Sequence, residues 1–186
     1  APIWSDELFA ARATQIWTEA GLAAARAASP GATIAVTGNA PFTSERWLFS
    51  LNGRVDGFYQ GVGDELREGL GHRWHGTFDG DADSEVLFAI ALEHLDAGLD
   101  PGTALTAVYQ RISARSAGPL NLLLTDGRRI AATASVNSLF SRERDGAVTI
   151  ASEPLDNGPD WQRVPDGSLL EAEGGGITVT PLEAHT

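Results

Sequence analysis

The sequence LNLLLTDGRRIAATA, residues 120–134, predicts the β-hairpin around which the rest of the chain is organised. Apolar runs stand on both sides of Asp126-Gly127, a dipeptide that favours the tight turn of a two-stranded hairpin. The same pattern returns at residues 138–152, around Asp145-Gly146, and at residues 169–180, around a run of three glycines. About six strands joined as hairpins are therefore expected in this half of the chain.

Two helices are predicted immediately before these strands. Residues 84–95 have helical spacing, with an apolar side made of Val86, Leu87, Ile90, Ala91 and His94 or Leu95. Pro101 suits the first turn of a second helix that runs to about Ser113. Because a sheet of hairpins needs helices on its outer face to bury its apolar side chains, the order of elements indicates an α+β fold, a layered sandwich.

The first part of the chain has weaker patterns. Residues 5–7 suit a helix start, and the positions that follow at helical spacing are Phe9, Ala13, Ile16, Trp17 and Ala20. Residues 22–28 and 46–51 have the composition of strands, the second one stopped by Asn52-Gly53, and residues 64–70 favour a helical turn.

The composition excludes several classes of function. The chain has 186 residues, of which 42% are hydrophobic, and this suits one globular domain spanning residues 1–186. A formal net charge of −12 disfavours nucleic acid as a partner, and no apolar run is long enough for a membrane span. Because there is no cysteine, disulfides, zinc–thiolate sites and a cysteine nucleophile are excluded within these residues.

Three short segments carry groups that could act on one substrate. Arg26, in RAASPG (residues 26–31), can pair bidentately with a carboxylate, although a surface arginine is the ordinary interpretation. The Asn52 side chain and the Gly53 N–H can converge on one oxygen as an oxyanion hole, or form an ordinary Asn-Gly turn. Asp83 can bind an ammonium group, or serve as one of the acids that commonly begin a helix.

Together these segments resemble the class II glutamine amidotransferases, a family of N-terminal-nucleophile hydrolases. That family has an R-x-A-[ST]-x-G segment, then a strand ending in N-G, then a D-[ST]-E-V stretch that begins a helix. The matching segments in this chain are Arg26–Gly31, Asn52-Gly53 and Asp83–Val86. The resemblance is strongest to the γ-glutamyl amidohydrolase subfamily of ergothioneine biosynthesis, through residues 2–6, 40–42, 46–48, 151–154, the Trp161 region and 177–182.

The resemblance implies a four-layer αββα sandwich with antiparallel sheets and a site that binds a γ-glutamyl substrate. Arg26 would hold the glutamate α-carboxylate and Asp83 the α-ammonium, with Ser29 as a further substrate-binding residue. Asn52 and the Gly53 N–H would hold the oxyanion. The family needs neither a metal nor an organic cofactor, and a cytoplasmic enzyme is expected.

The family's nucleophile is an N-terminal cysteine, which is expected on a segment or companion chain that precedes Ala1, so that the domain in this chain would lack its first strands. Without that segment, an exposed sheet edge would favour self-association to a homo-oligomer. Two alternatives stay open at this point. One is a glutaminase subunit that supplies ammonia to a partner synthetase, and the other is a non-catalytic γ-glutamyl-binding protein.

Other signals are weaker. A product that carries a trimethylammonium group would favour aromatic faces, for which the candidates are Phe58, Tyr59, Trp74 and Phe78, although packing roles are the ordinary interpretation. His72 and His75 form an H-x-x-H pattern that nothing else completes as a zinc site. Residues 79–90 begin like a calcium loop but have serine at position six and isoleucine at position twelve.

Overall fold

The computed structural model describes residues 7–24, 40–75 and 82–182. Its helices are α1 (Glu7–Ala13), α2 (Val62–Glu68), α3 (Asp83–Asp96) and α4 (Pro101–Ser113), with short 3-10 helices at Phe58–Gln60 and His72–Trp74. The strands are β1 (Phe42–Ser44), β2 (Trp47–Gly53), β3 (Leu120–Thr125), β4 (Arg129–Ala134), β5 (Phe140–Arg144), β6 (Ala147–Ala151), β7 (Gln162–Arg163), β8 (Ser168–Glu173) and β9 (Gly176–Pro181).

Six strands form one antiparallel sheet in the order β1-β2-β3-β4-β8-β9. Helices α3 and α4 cover one of its faces. Along β3, the side chains of Leu120, Leu122 and Leu124 pack into the core under these helices, whereas Leu123 packs on the opposite face. This alternation follows from the two-residue period of a strand and allows both faces to be buried.

A second, three-stranded sheet in the order β6-β5-β7 packs on that opposite face. Ala132 and Leu170 of the large sheet share a hydrophobic cluster with Val148 and Ile150 of the small one. The described residues therefore form a helix–sheet–sheet arrangement of antiparallel sheets, and the predicted α+β class is confirmed.

The three predicted hairpins are confirmed as β3–β4, β5–β6 and β8–β9. The turn between β5 and β6 consists of Asp145 and Gly146, with φ angles of 52° and 77°. Two consecutive positive φ angles match the twist of a two-residue hairpin turn, which is why an Asp-Gly pair marks it in the sequence.

Helix α3 is confirmed, but its predicted one-sided burial is wrong. Every residue from Ser84 to Leu92 is buried. The helix is enclosed because it contacts α2, α4, β2 and the 3-10 helix at His72–Trp74. The rings of Phe88 on α3 and Phe49 on β2 stack with centroids 5.2 Å apart, which fixes the helix against the sheet.

The beginning of the chain departs from expectation. Helix α1 ends at Ala13, so Ile16, Trp17 and Ala20 lie beyond it, and none of its residues is buried. The strand predicted at residues 22–28 does not begin at residues 22–24, and its remainder lies outside the described residues, as does the predicted helix start at residues 5 and 6. Within the described ranges, the structure contains no helix long and apolar enough to cross a membrane.

The loop between β6 and β7 is held by a charged cluster. Arg142 Nη1 donates to Asp156 Oδ2 at 2.8 Å, and the indole N–H of Trp161 and the backbone N–H of Gly158 donate to Asp156 Oδ1 at 3.0 and 2.9 Å. The Arg142 guanidinium also lies 4.4 Å from the centroid of the Trp161 ring. The hydrogen bond from Arg142, followed by those from Gly158 and Trp161, lowers the pKa of Asp156 from 3.8 to about 2.

We expect Phe88→Ala to lower the free energy of unfolding by about 3–5 kcal/mol, because it removes a fully buried ring and leaves a cavity. Urea unfolding of the full-length protein measures the change. Leu155→Ala is the matched control, since Leu155 is 71% exposed, and its expected effect is within about 0.5 kcal/mol. Equal effects of the two substitutions would contradict the stacked core.

The Asp156 cluster predicts a pH dependence. Because the pKa of Asp156 is lowered on folding, its contribution to stability is fully present above its ordinary pKa of 3.8 and is lost as the pH falls through about 2. We therefore expect Asp156→Asn to lower the melting temperature at pH 5, and the difference from the wild type to shrink as the pH falls to 2. Asp145→Asn, in the β5–β6 turn, is the control. A difference that is constant with pH would contradict this assignment.

Candidate active site

A cavity of about 950 Å³ lies where β2 leaves the six-stranded sheet and approaches the start of α3. Its wall contains Asn52, Gly53 and Asp83, three of the residues singled out in the sequence. Residues far apart in the chain therefore meet in one cavity. Arg26 and Ser29 lie outside the described residues, and the described wall of this cavity includes Ala23 and Ala24.

Asn52 and Gly53 belong to β2 and do not form a turn. Asn52 lies opposite Asn121 and Gly53 opposite Leu120 in the ladder with β3. The alternative interpretation as an Asn-Gly turn is therefore wrong. Both residues instead end a strand that is tied to the centre of the sheet, which gives their polar groups a fixed position at the cavity.

Glycine is required at position 53 by a close approach of the backbone. A Cβ there would collide with the carbonyl oxygen of Pro119. The next residue, Arg54, donates its N–H to that same oxygen at 3.0 Å. Any side chain at position 53 would push β2 away from Pro119 and move Asn52 with it.

Asp83 joins the end of β2 to the start of α3. Its Oδ2 accepts the N–H of Val55 at 2.9 Å, and its Oδ1 accepts the N–H of Ser84 at 2.8 Å. Each carboxylate oxygen keeps acceptor capacity beyond these bonds, because a carboxylate offers about four lone-pair sites. The half-buried Asp83 can therefore receive a cationic group from the cavity while its orientation stays fixed.

The helix start does not depend on Asp83 as its cap. The N-cap position is Ala82, and the buried Glu85 accepts the Ala82 N–H through Oε2 at 3.0 Å. Asp83 is one of the first-turn acids, as the ordinary interpretation of the sequence has it. Asp83 also accepts the hydrogen bond from the Val55 N–H, and this bond connects two parts of the cavity wall.

The described part of the cavity wall is acidic. Its charged residues are Asp56, Asp83, Glu153 and a single arginine, Arg54. Arg54 is already paired with Asp56, through a bond of 2.7 Å from Nε to Oδ1. The remaining carboxylates favour a substrate that presents a positive charge.

The aromatic candidates divide into two groups. Phe58 and Tyr59 line the cavity, and Tyr59 is 70% exposed there, whereas Phe58 is buried. Trp74 packs partly buried against the hydrophobic core, with Arg73 over its ring, and is not part of the cavity wall. Phe78 lies outside the described residues.

Sequence reasoning missed the second side of the cavity. Asn121, Asn137, Ser138 and Ser152 all line it, from β3 and from the segments that flank β5 and β6. Glu153 also lies there, in a stretch that the sequence related to the subfamily without assigning it a role. The register that puts Asn121 opposite Asn52 joins β2 to β3, which α2, α3 and α4 separate in the chain, so the hairpin pattern could not locate Asn121. No local pattern distinguishes Asn137.

The two histidines lie exposed on the surface, in and just after the 3-10 helix at His72–Trp74. The rings of His72 and His75 are 5.7 Å apart, and His75 Nε2 lies 2.8 Å from the carbonyl oxygen of Leu70. In the described part of the chain, the structure contains no group of three or more side chains suited to a metal ion.

The chain is similar to two curated proteins over almost its whole length. It is 32% identical over 181 residues to the γ-glutamyl-hercynylcysteine sulfoxide hydrolase of Mycolicibacterium smegmatis, covering 97% of this chain and 72% of that protein. It is 33% identical over 184 residues to the protein of the same name from Mycobacterium tuberculosis H37Rv, covering 98% of this chain and 71% of that protein. No protein-family profile matches the chain.

Solved structures relate the fold to amidotransferases. A glutamine aminotransferase class-II domain protein from Silicibacter pomeroyi superposes with a TM-score of 0.77 at 23% identity, over 100% of this chain and 84% of that one. Glutamine phosphoribosylpyrophosphate amidotransferase from B. subtilis superposes with a TM-score of 0.56 at 16% identity, over 77% of this chain and 31% of that one. The fold is that of the class II glutamine amidotransferases. Since the identity to the curated relatives extends over nearly the whole chain, the chain belongs to the γ-glutamyl-hercynylcysteine sulfoxide hydrolase family.

Proposed function

We propose that this chain forms the substrate-binding and oxyanion-stabilising part of a γ-glutamyl amidohydrolase. The reaction is removal of glutamate from γ-glutamyl-hercynylcysteine sulfoxide, a step of ergothioneine biosynthesis. The observation that carries the proposal is the single cavity that contains both the Asn52-Gly53 end of β2 and Asp83 at the start of α3. The two relatives from Mycolicibacterium smegmatis and Mycobacterium tuberculosis, both named for hydrolysis of this compound, support the choice of substrate.

The γ-glutamyl group has two charged ends that a site can recognise. Asp83 receives the α-ammonium group, in the same cavity that Asn52 and Gly53 line. Arg26 pairs with the α-carboxylate, and Ser29 contributes a hydroxyl to the same end. In support, Arg26 follows two residues after Ala24, which lines the cavity. A bidentate arginine–carboxylate pair fixes the orientation of the substrate as well as its affinity.

The reacting carbonyl then lies beside Asn52. A thiolate attacks the γ-carbonyl carbon, and the negative charge that develops on its oxygen is held by the Asn52 side-chain N–H and the Gly53 N–H. The amine leaves with a proton, and water hydrolyses the glutamyl thioester to release glutamate and the thiolate. The proposal assigns the thiolate to an N-terminal cysteine outside residues 1–186. The α-amine of that cysteine moves the proton, and the reaction needs no cofactor.

The cavity has room for more than glutamate. A cavity of about 950 Å³ is in the range that encloses a drug-sized ligand. The leaving group occupies the remaining part, where Tyr59 offers an exposed aromatic face and Glu153 a carboxylate. Both suit a trimethylammonium group.

We further propose that residues 1–186 belong to one amidotransferase-type domain and that the enzyme is cytoplasmic. Both statements rest on the family membership.

Turnover of a substrate panel by the full-length protein tests the function. We expect hydrolysis of γ-glutamyl-hercynylcysteine sulfoxide with a kcat/KM well above that for glutamine. Asn52→Ala should lower kcat by about 100- to 1,000-fold with little change in KM, because one oxyanion donor acts mainly in the transition state. Glutaminase activity that rises with a partner synthetase would instead indicate an ammonia-supplying subunit, and binding without turnover would indicate a non-catalytic protein.

Matched substrates test the two charged contacts separately. A glutaryl amide lacks the α-amine and a 4-aminobutyryl amide lacks the α-carboxylate. We expect Asp83→Asn to raise the KM of the γ-glutamyl substrate by about 10- to 100-fold, as for loss of a charged hydrogen bond, and to leave that of the glutaryl amide unchanged.

Arg26→Ala should show the reverse selectivity, with a raised KM for the γ-glutamyl substrate and no change for the 4-aminobutyryl amide. Asp64→Asn and Arg128→Ala, at exposed positions outside the described cavity wall, are the controls. If Arg26→Ala leaves γ-glutamyl turnover intact, the assignment of the α-carboxylate contact is wrong.

A further inference from the structure

We propose that Asn137 is a positioning residue that turns the side-chain amide of Asn52 so that its N–H faces the reacting carbonyl. The inference rests on the proposed function, in which Asn52 is an oxyanion donor. It concerns a residue 85 positions away in the chain, for which no sequence pattern assigns a role.

The orientation of Asn52 follows from its contact with Asn137. Asn137 Nδ2 lies 3.1 Å from the backbone carbonyl oxygen of Asn52 and 3.3 Å from Asn52 Oδ1. A carbonyl can only accept, so the atom of Asn137 that faces it must be the donor Nδ2. That donor in turn requires Oδ1 as its partner on Asn52, because two N–H groups would repel. The Nδ2 of Asn52 is thereby directed away from Asn137, and since it has no hydrogen-bond partner among the described residues it can donate to an oxygen in the cavity.

The loop that carries Asn137 is itself held by a buried asparagine. Asn121 is 4% exposed and lies opposite Asn52 on the neighbouring strand. Its Nδ2 donates to the carbonyl oxygens of Asn137 and Ser138 at 3.1 and 3.0 Å, and its Oδ1 accepts the N–H of Ser135 at 2.7 Å. One buried side chain therefore fixes both ends of the segment at residues 135–138, which we call the 135–138 loop.

The 135–138 loop holds a conformation that its sequence disfavours. Val136 has a φ of 70°, a region that a β-branched residue rarely occupies. The Val136 N–H donates to Asp166 Oδ1 at 2.7 Å, and this hydrogen bond stabilises the loop conformation in addition to the hydrogen bonds of Asn121. Strained backbone of this kind persists where the surroundings impose it and is common beside functional groups. The backbone conformation of Val136 places the side chain of Asn137 in contact with Asn52.

The same loop connects the two ends of the cavity. Ser138 Oγ donates to the carbonyl oxygen of Ser152 at 2.8 Å, next to Glu153 in the part of the wall assigned to the leaving group. The 135–138 loop therefore touches Asn52 on one side and the end of β6 on the other.

Kinetics of three variants of the full-length enzyme test the inference. We expect Asn137→Ala to lower kcat by about 10- to 100-fold, the scale of a small misplacement of a catalytic group, with KM within about twofold. Asn137→Asp should be more severe than Asn137→Ala. Aspartate keeps the shape of asparagine but only accepts hydrogen bonds, so it attracts Asn52 Nδ2 and turns the amide away from the cavity. Asn157→Ala, at an exposed asparagine in the β6–β7 loop, is the control and should match the wild type.

A double-mutant comparison separates positioning from a structural role. If Asn137 acts through Asn52, then Asn137→Ala in an Asn52→Ala background lowers kcat by less than about twofold, because the group it positions is already absent. Additive losses would overturn the proposal, and so would an Asn137→Asp variant milder than Asn137→Ala. Melting temperatures of all variants exclude losses caused by unfolding.

A readout that does not need turnover distinguishes this inference from the proposed function. The side-chain NH₂ resonances of Asn52 are assigned by NMR as the pair that disappears from the spectrum of Asn52→Asp. We expect them to shift in Asn137→Ala and to stay in place in Asn157→Ala; unchanged resonances in Asn137→Ala would overturn the positioning contact. If the wild type hydrolyses no γ-glutamyl compound, the proposed function fails, and these resonances alone decide whether Asn137 orients Asn52.

Discussion

Strands β2 and β3 pair in one register, from Leu48 opposite Thr125 to Gly53 opposite Leu120. The side chains of β2 and β3 that pack into the core under the helices recur at every second residue, so a slip of one residue would turn them to the opposite face of the sheet. The register that buries the leucines of β3 also sets Asn52 opposite Asn121. The hydrophobic pattern at the centre of the sheet therefore also determines the position of Asn52 in the candidate site.

The packing around α3 fixes the position of Asp83 relative to Asn52 and Gly53. Phe88 stacks on Phe49, which fixes the helix against the strand that ends in Asn52 and Gly53. The bond from the Val55 N–H to Asp83 then closes the connection between strand and helix. Because the helix is buried nearly all round, Asp83 cannot move without disturbing the core. The site is thus held by rigid elements, which suits a group that must meet a developing charge.

The sequence predicted those parts of the fold that have local causes. Asp-Gly pairs mark two of the three hairpin turns and glycines mark the third. Pro101 marks the start of α4, where the Asp100 side chain caps the helix by accepting the N–H of Thr103 at 3.0 Å. The motifs of Asn52, Gly53 and Asp83 could be read from the sequence because each is short and contiguous. The enclosed burial of α3 could not, since it depends on neighbours from four other elements. The proposed role of Asn137 depends on a loop held by contacts with Asn121 and Asp166, which are distant in the sequence.

The acidic wall of the cavity also bears on what happens after hydrolysis. In the proposed reaction, the γ-carbonyl is uncharged in the substrate amide and becomes a carboxylate in free glutamate. That new negative charge appears in a cavity whose described wall contains Asp56, Asp83 and Glu153, with Arg54 already engaged by Asp56. In the proposed site, Asp83 keeps its contact with the α-ammonium group, which glutamate shares with the substrate, while the wall carboxylates repel the γ-carboxylate that hydrolysis creates. Hydrolysis thus adds a repulsion that the neutral amide did not meet, and this favours release of glutamate before another turnover.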